Sequence, residues 1–285
     1  MNPDLVFEHH RPRLFSLAYR LLGARGDAED VVQDAWLRWH GSDQAAIADP
    51  EAWLVTATTR LGLDRLRAAR TARQHYVGPW LPEPLEISEA PGPEQHREQA
   101  EQVSIALLAV LERLGPEERA AFLLKEAFDY DYARIGQLLG HSEANCRQLV
   151  HRARQRVQAG RPRFEVAPAQ HRALLARFMA ASQAGDAAAI TALLDHDARM
   201  VSDGGGKVIA TLRPLLGAER IARLYVAVAR RGLGLVARMG WVNGEPAILR
   251  YHPGGRLHSA TLAVIEDERI VELLTLMNPD KLARA

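Results

Sequence analysis

The stretch Gly26-Asp27-Ala28-Glu29-Asp30-Val31-Val32-Gln33-Asp34-Ala35-Trp36-Leu37-Arg38-Trp39 decides the reading of the first third of the chain. Ala28, Val31, Val32, Ala35, Trp36 and Trp39 recur at i, i+3, i+4, i+7, i+8 and i+11, which is one apolar stripe of an α-helix. Beside that stripe Asp30, Gln33, Asp34 and Leu37 fall on a polar face at i, i+3, i+4 and i+7. A leucine inside a carboxylate stripe suits docking against another helix. From Asp27 to Glu51 there are seven acids against Arg38 alone; from Arg60 to Arg73 there are five arginines against Asp64 alone. A charge run by itself is a solvated helix face, but adjacent runs of opposite sign suggest two surfaces, one for protein and one for nucleic acid.

The basic run lies on the next helix. Asp49-Pro50-Glu51 supplies an N-cap, a proline at N1 and an acid in the first turn. On this helix Thr56, Thr59, Arg60, Arg67 and Arg70 can share a polar face. Arginine pairs with phosphate and threonine can bond a base. The spacing of Trp36 and Trp39 puts them in the core. For Trp53 two readings stand, core packing or stacking on an unpaired base.

Outward from there, Gly78 to Pro93 contains five prolines, which excludes a regular helix, and Gly160-Arg161-Pro162 to Pro168 reads as a short linker. The expected organisation is residues 1–76, a Pro-rich linker 77–93, residues 94–160, a linker 161–167 and residues 168–285. In the second unit Val103, Leu107, Val110, Leu111 and Leu114 form a stripe broken by Gly115-Pro116. Tyr132–Leu139 is a short helix, Gly140-His141 turns the chain, and Ser142 caps another helix: a helix-turn-helix. Cys146, Val150, Ala153 and Val157 mark its buried side, so Cys146 reads as a small core residue. The opposite side offers Asn145, Arg147, Gln148, His151, Arg152 and Arg154, and from Arg147 to Arg163 there are six arginines and no acid. Asn and Gln can bond an adenine edge and Arg a guanine edge, so this face suits duplex DNA.

The last unit changes character. Apolar faces at Leu174, Leu175, Phe178 and Met179, at Ile190, Leu193 and Leu194, and at Ile221, Leu224, Tyr225 and Val228 predict three helices. Short β-prone runs follow from Leu233, punctuated by Asn243-Gly244, Pro253-Gly254-Gly255 and Glu266-Asp267-Glu268, so the unit reads as α+β. Asp203-Gly204-Gly205-Gly206-Lys207 lacks the spacing of a phosphate loop. It reads either as a turn between strands or as an exposed loop docking against the two helical units. Trp80, flanked by prolines, is costly to leave in water and is expected to pack on a domain surface. Asp203, His252, His258 and Asp280 are the acid/base candidates, and no motif is specific for catalysis.

The bulk figures agree. At 285 residues with 47% hydrophobic content the chain holds two or three domains; a net charge of +1 leaves nucleic-acid binding to local segregation. A single cysteine excludes an internal disulfide framework and fits a reducing cytoplasm. No signal peptide or membrane span is expected, and no metal or cofactor motif occurs.

Gly26–Arg38, Ala52-Trp53-Leu54 through Leu63-Asp64-Arg65-Leu66-Arg67, Leu114-Gly115-Pro116-Glu117-Glu118-Arg119 and His151-Arg152-Ala153-Arg154 together resemble regions 2 and 4 of the extracytoplasmic-function RNA polymerase sigma factors. The resemblance implies a region 2 helical bundle and a region 4 helix-turn-helix. It implies that Asp30, Gln33, Asp34 and Leu37 bind the β′ clamp helices of core polymerase, with β as a further partner. It assigns Trp53, Thr56, Thr59, Arg60 and Arg67 to the melted −10 strand, and Asn145, Arg147, Gln148, His151, Arg152 and Arg154 to the −35 duplex. Leu149 stands where the family usually has a second basic residue.

Tyr76-Val77-Gly78-Pro79-Trp80-Leu81-Pro82-Glu83-Pro84, Asp203–Lys207 and Asn278-Pro279-Asp280-Lys281 further resemble the subgroup with a fused SnoaL-like domain, a cone-shaped α+β barrel. That implies regulation within the chain through Trp80, Pro82, Glu83, Pro84, Asp203, Gly204, Gly205, Gly206, Lys207, Asn278, Pro279, Asp280 and Lys281, with the tail touching the sigma domains. The expected function is a non-enzymatic sigma factor modulated by its own tail. The alternatives are a helix-turn-helix regulator that never meets polymerase, or a tail with ligand-sensing or isomerase-type activity.

Overall fold

The computed structural model describes residues 3–90, 103–160, 167–283 and 285. Pro91-Gly92-Pro93 and residues 161–166 of the second linker lie outside the described residues. The chain divides into two compact units, one comprising Met1–Gln74, Gln95–Val103 and Leu107–Arg161, the other His75–Glu94, Ser104–Ala106 and Pro162–Ala285.

The first unit is helical: α1 (Pro3–Leu22), α2 (Arg25–His40), a 3-10 turn (Gln44–Ala46), α3 (Pro50–Arg73), α4 (Ile105–Leu111), α5 (Pro116–Glu126), α6 (Tyr132–Leu139) and α7 (Glu143–Gly160). Ala28, Val31, Val32, Ala35 and Trp39 of α2 are buried as the stripe predicts, against a core that includes Leu14, Leu17, Leu21 and Leu54. Trp36 departs from expectation: it is only half-buried and lies against the His40 ring at 4.6 Å. Asp49 caps α3 by accepting from Ala52 N at 3.0 Å. Asp131 caps α6 by accepting from Arg134 N at 2.7 Å. Between α6 and α7, Gly140 takes φ +72°, the left-handed conformation a short interhelical turn needs.

The two halves of this unit are joined by a charged cluster. Arg119 of α5, 1% exposed, pairs with Glu112 and donates from Nε to Arg20 O at 2.9 Å. Glu112 also pairs with Arg73, which donates to Leu22 O at 2.8 Å. One carboxylate thus serves guanidinium groups from α3 and α5, and both groups reach α1 main chain near its C-terminus, where carbonyls lack helical partners.

The second unit carries β1 (Ile87–Ser88), α8 (Pro168–Ala184), α9 (Ala187–Leu193), β2 (Leu194–Asp203), β3 (Leu215–Leu216), α10 (Ala218–Arg230), β4 (Val236–Val242), β5 (Glu245–Tyr251), β6 (Leu257–Glu266), β7 (Arg269–Leu276) and α11 (Pro279–Leu282). Its strands form one sheet in the order β1-β4-β5-β6-β7-β2-β3, antiparallel except that β2 runs parallel to β7. The three predicted helices pack on it. Phe178, Ile190, Ile221 and Tyr225 share a core with Met200, Ile248, Ala263, Ile265 and Leu273. Asn243 (φ 49°) and Gly244 (φ 77°) make the hairpin between β4 and β5. This is the helices-on-sheet architecture expected of a SnoaL-like domain.

Two features differ from expectation. Strand β2 begins directly after α9, and the Pro-rich segment is part of the second unit. Ile87 pairs with Val242 and Ser88 with Trp241, so the segment contributes the edge strand of the sheet.

Candidate functional site

Three surfaces carry the residues singled out by sequence. On α2, Asp30, Gln33, Asp34 and Leu37 are all exposed, with Leu37 at 54%. Asp30 pairs with Arg65 of α3, as does Asp27 at 3.2 Å, whereas Asp34 has no ion pair among the described residues.

On α3, Trp53, Thr56 and Arg60 line a cleft of about 500 Å3. The Trp53 ring is half-buried, lies 5.5 Å from that of buried Trp39 and lines the cleft. Arg67 stands apart from the cleft lining, paired with Asp64 at 3.2 Å and Glu117 at 3.1 Å. Thr59 is fully buried, its hydroxyl donating to Val55 O at 2.7 Å, so it sits on the core side of α3 and not on the polar face.

On α7, Arg147, Gln148, His151, Arg152 and Arg154 are exposed, Asn145 is half-buried, and Cys146, Val150, Ala153 and Val157 are buried. Burial pushes the Cys146 thiol pKa up, which keeps it a neutral core group. Leu149 is 5% exposed, so the apolar residue at that position faces the core and leaves the polar face intact. Arg147, Gln148, His151, Arg152 and Arg154 line a second cleft together with Tyr132. Arg147 lies 5.5 Å from the Tyr132 ring. Each arginine of this face also has a carboxylate nearby: Arg147 with Glu143, Arg152 with Glu118 at 3.1 Å, Arg154 with Glu126 at 2.7 Å.

The second unit holds its own site, built around Asp203 at the end of β2. Asp203 is fully buried. Its carboxylate accepts from Tyr76 Oη at 2.5 Å, Leu81 N at 2.8 Å and Lys281 Nζ at 2.7 Å. Lys281, 4% exposed, also donates to Leu81 O, and its ammonium lies 4.1 Å from the Trp80 ring centre and 5.3 Å from that of Tyr76. Asn278 caps α11 and donates to Tyr76 Oη at 2.9 Å. Burial, reinforced by the Asp203 hydrogen bond, pushes the Tyr76 hydroxyl pKa well up, so it stays a donor.

The glycine loop is what admits the Pro-rich segment. A Cβ on Gly205 would stand 2.8 Å from Asn278 Cγ and 3.0 Å from Tyr76 Oη, and one on Gly206 would stand 3.0 Å from Val77 Cβ. Both glycines have φ above +55°. Lys207 pairs with Asp280, closing the loop over α11. Leu81, Pro82 and Pro84 are buried, and Trp80 and Glu83 half-buried. Further along, Asn243 Oδ1 accepts from Leu85 N at 2.7 Å and Glu86 N at 3.3 Å, and Arg238 pairs with Glu89 at 2.9 Å.

Known proteins with similar sequences and structures show the family to which this chain belongs. The profile of Sigma-70 region 2 matches residues 6–72 and that of Sigma-70 region 4 matches residues 104–157. The ECF RNA polymerase sigma factor SigJ of Mycobacterium tuberculosis is 40% identical over 286 residues, covering 96% of this chain and 91% of the relative. The probable ECF sigma factor SigI of the same organism is 33% identical, covering 96% and 92%. The crystal structure of M. tuberculosis SigJ superposes with a TM-score of 0.76 at 34% identity, covering 98% of each chain. The chain belongs to the extracytoplasmic-function RNA polymerase sigma factors.

As a sigma factor it directs promoter-specific transcription initiation, with RNA polymerase and promoter DNA as partners. In this sigma factor the structure brings together the three motifs of the second unit, from Tyr76, Asp203 and Asn278 onward. It adds Tyr76, the Leu81 main chain and Asn243 to the residues singled out by sequence. Asn243 was visible only as a hairpin residue, because a side-chain acceptor used by a segment more than 150 positions away leaves no local signal. The four acid/base candidates do not converge: Asp203 pairs with Lys281 and Asp280 with Lys207, while His258 Nδ1 and His252 Nε2 lie 3.1 Å apart. Among the described residues no group of three metal-ligating side chains occurs, and no helix is long and apolar enough to cross a membrane.

Proposed function

We propose that this sigma factor controls its own promoter engagement by fixing the segment that joins its two promoter-binding regions. The carrying observation is the buried Asp203–Lys281 pair, which holds Tyr76, Trp80 and Leu81 by side chain and main chain. A segment with that many partners cannot pay out as slack chain, so the reach available between regions 2 and 4 depends on whether the C-terminal domain keeps its grip.

Within this reading the α2 face, Asp30, Gln33, Asp34 and Leu37, docks on the β′ clamp helices. The α7 face, Asn145, Arg147, Gln148, His151, Arg152 and Arg154, enters the −35 major groove, with its exposed ion pairs exchanged for bases and phosphates. Trp53, Thr56 and Arg60 take a nucleotide of the opened −10 strand, and Arg67 its backbone. The C-terminal domain acts by contact with the rest of the chain and not by turnover, since its candidate acids and bases are committed to one another or to lysines.

Transcription in vitro with core polymerase tests this. Deleting residues after about 165 is expected to change promoter output without abolishing it. Identical output with and without the tail would remove the regulatory reading, and failure to convert core polymerase to promoter-specific initiation would remove the docking and DNA assignments.

A further inference from the structure

The cleft beside Trp53 has a charge distribution unlike the rest of the first unit. It is lined by three arginines from three helices: Arg38 in the last turn of α2, Arg60 in α3 and Arg134 in α6. Most other guanidinium groups in the unit have carboxylates, as in Arg13 with Glu51, Arg65 with Asp27, Arg67 with Glu117, Arg119 with Glu112 and Arg154 with Glu126, Arg70 being an exception. Arg38, Arg60 and Arg134 have no ion pair among the described residues. The acid in the lining is Asp49, and its carboxylate is occupied as the N-cap of α3. Three guanidinium groups against the one Asp49 carboxylate leave the concavity net positive, a potential that a multiply charged anion would relieve.

The same wall presents the half-buried indole of Trp53 and the oxygen of Thr56, whose proton is already given to Ala52 O at 2.6 Å. That oxygen is therefore left to accept. An indole ring, an acceptor and phosphate-matching forks are the recognition elements of a nucleotide, and a volume of about 500 Å3 suits one.

We propose that this cleft binds a free purine nucleoside di- or triphosphate, with the base on Trp53 and the phosphates on Arg38, Arg60 and Arg134. Arg134 belongs to the helix-turn-helix half of the unit and the other groups to the first half, so a bound nucleotide bridges the two. It also occupies the wall assigned above to the −10 strand, and the two ligands compete; this competition alone rests on that assignment.

The test is calorimetric titration of the full chain with GTP, ATP, inorganic tripolyphosphate and a mixed-sequence single-stranded DNA decamer, each alone and then GTP against the decamer. GTP or ATP is expected to bind, with tripolyphosphate about tenfold weaker for lack of a stacked base. Arg134→Ala is expected to weaken the nucleotide about tenfold through loss of a charge-assisted bond, and to leave decamer affinity within about twofold. Absence of nucleotide binding at millimolar concentration overturns the proposal. So does nucleotide binding indifferent to Arg134→Ala, or tripolyphosphate binding as tightly as GTP, which would mark a basic patch only. If GTP binds as stated and the decamer does not, the −10 assignment fails and the nucleotide site stands. An unchanged melting temperature for Arg134→Ala, whose side chain has no ion pair to lose, separates lost binding from lost fold.

Discussion

Replacing Asp203 by alanine should release the Pro-rich segment and destabilise the second unit together. Asp203 is fully buried and accepts three hydrogen bonds, and Lys281 beside it is 4% exposed. Removing one partner of a buried ion pair costs about 3–5 kcal/mol because the other charge is left in a poor solvent. The Leu81 N–H, left without its acceptor, adds about 1–3 kcal/mol. A sum of about 4–8 kcal/mol rivals the whole stability of an ordinary domain, about 5–15 kcal/mol. The cheaper response is for residues 76–84 to lift away so that Lys281 meets water. At about 2–4 °C per kcal/mol for a domain of this size, the calorimetric transition of the second unit should fall by roughly 8–32 °C. Chymotrypsin reports the release directly, since the segment offers Tyr76, Trp80 and Leu85 and contains no lysine or arginine for trypsin. Asp203→Ala with Lys281→Met removes the stranded charge as well, and the pair should couple by about 2–3 kcal/mol, making the double variant more stable than Asp203→Ala alone. A shift under about 1 °C in the single variant, or strict additivity in the double, would refute the view that a buried charge holds the segment.

Three further outcomes follow from the other surfaces. Asp34→Arg reverses an exposed charge that has no ion pair among the described residues, so its circular dichroism should be unchanged while affinity for core polymerase falls about tenfold; equal affinity removes the docking role of α2. Arg147→Ala gives up an exposed pair with Glu143 and a contact with the Tyr132 ring, each worth about 0–1 kcal/mol, so its melting temperature should fall only slightly, while binding to a −35 duplex should weaken by about 1–3 kcal/mol with relaxed preference at one base pair; a uniform loss over all sequences would make Arg147 a phosphate contact. Burial holds His171 and His258 below the usual 6.5, His258 further depressed by His252, Arg250 and Arg256, and His171 partly offset by a hydrogen bond to Ala263 main chain. Below pH 6.5 the unfolded chain therefore takes up protons that the native one does not, and the second unit should lose stability as pH falls from there; a flat melting temperature between pH 7.5 and 5.5, or a slope unaltered by glutamine at both positions, would contradict this.

What was legible in the sequence was whatever a local period encodes. The α2 stripe, the caps at Asp49 and Asp131 and the buried side of α7 all follow from spacing within one or two turns. Thr59 was misjudged because Thr59 and Arg60 lie about 100° apart around the helix axis, on either side of Thr56, and the core boundary passes between them. Strand β2 was hidden because Leu194, Ala198, Met200 and Val201 do not alternate. Its register against β7 shifts between Leu194 and Arg199, and it starts without a turn after α9. The Pro-rich segment was correctly denied a helix. That it supplies an edge strand and the lid over a buried ion pair depends on Asp203, Asn243 and Lys281, whose positions relative to it only the fold creates.

The two units place their charges differently, and the difference bears on how such a protein switches. In α7, Arg147 and Arg154 lie in exposed pairs with Glu143 and Glu126, each worth about 0–1 kcal/mol, so a phosphate or a guanine edge can displace the carboxylate at little cost, while Arg152 reaches the mostly buried Glu118. In the second unit the Lys281–Asp203 pair is out of water, and any state that parts the two must first rehydrate them. Weakly held arginines make promoter contact quick to form and strongly dependent on salt; a buried pair makes the hold on residues 76–84 cooperative, all present or all lost. If that division is right, the salt dependence of −35 binding should be the same in the full chain and in Asp203→Ala, because the exposed pairs are untouched. The salt-independent part of promoter affinity should differ between them, because the segment joining the two regions has been freed. A changed salt slope with an unchanged intercept would show instead that the C-terminal domain acts on the arginines of α7 themselves.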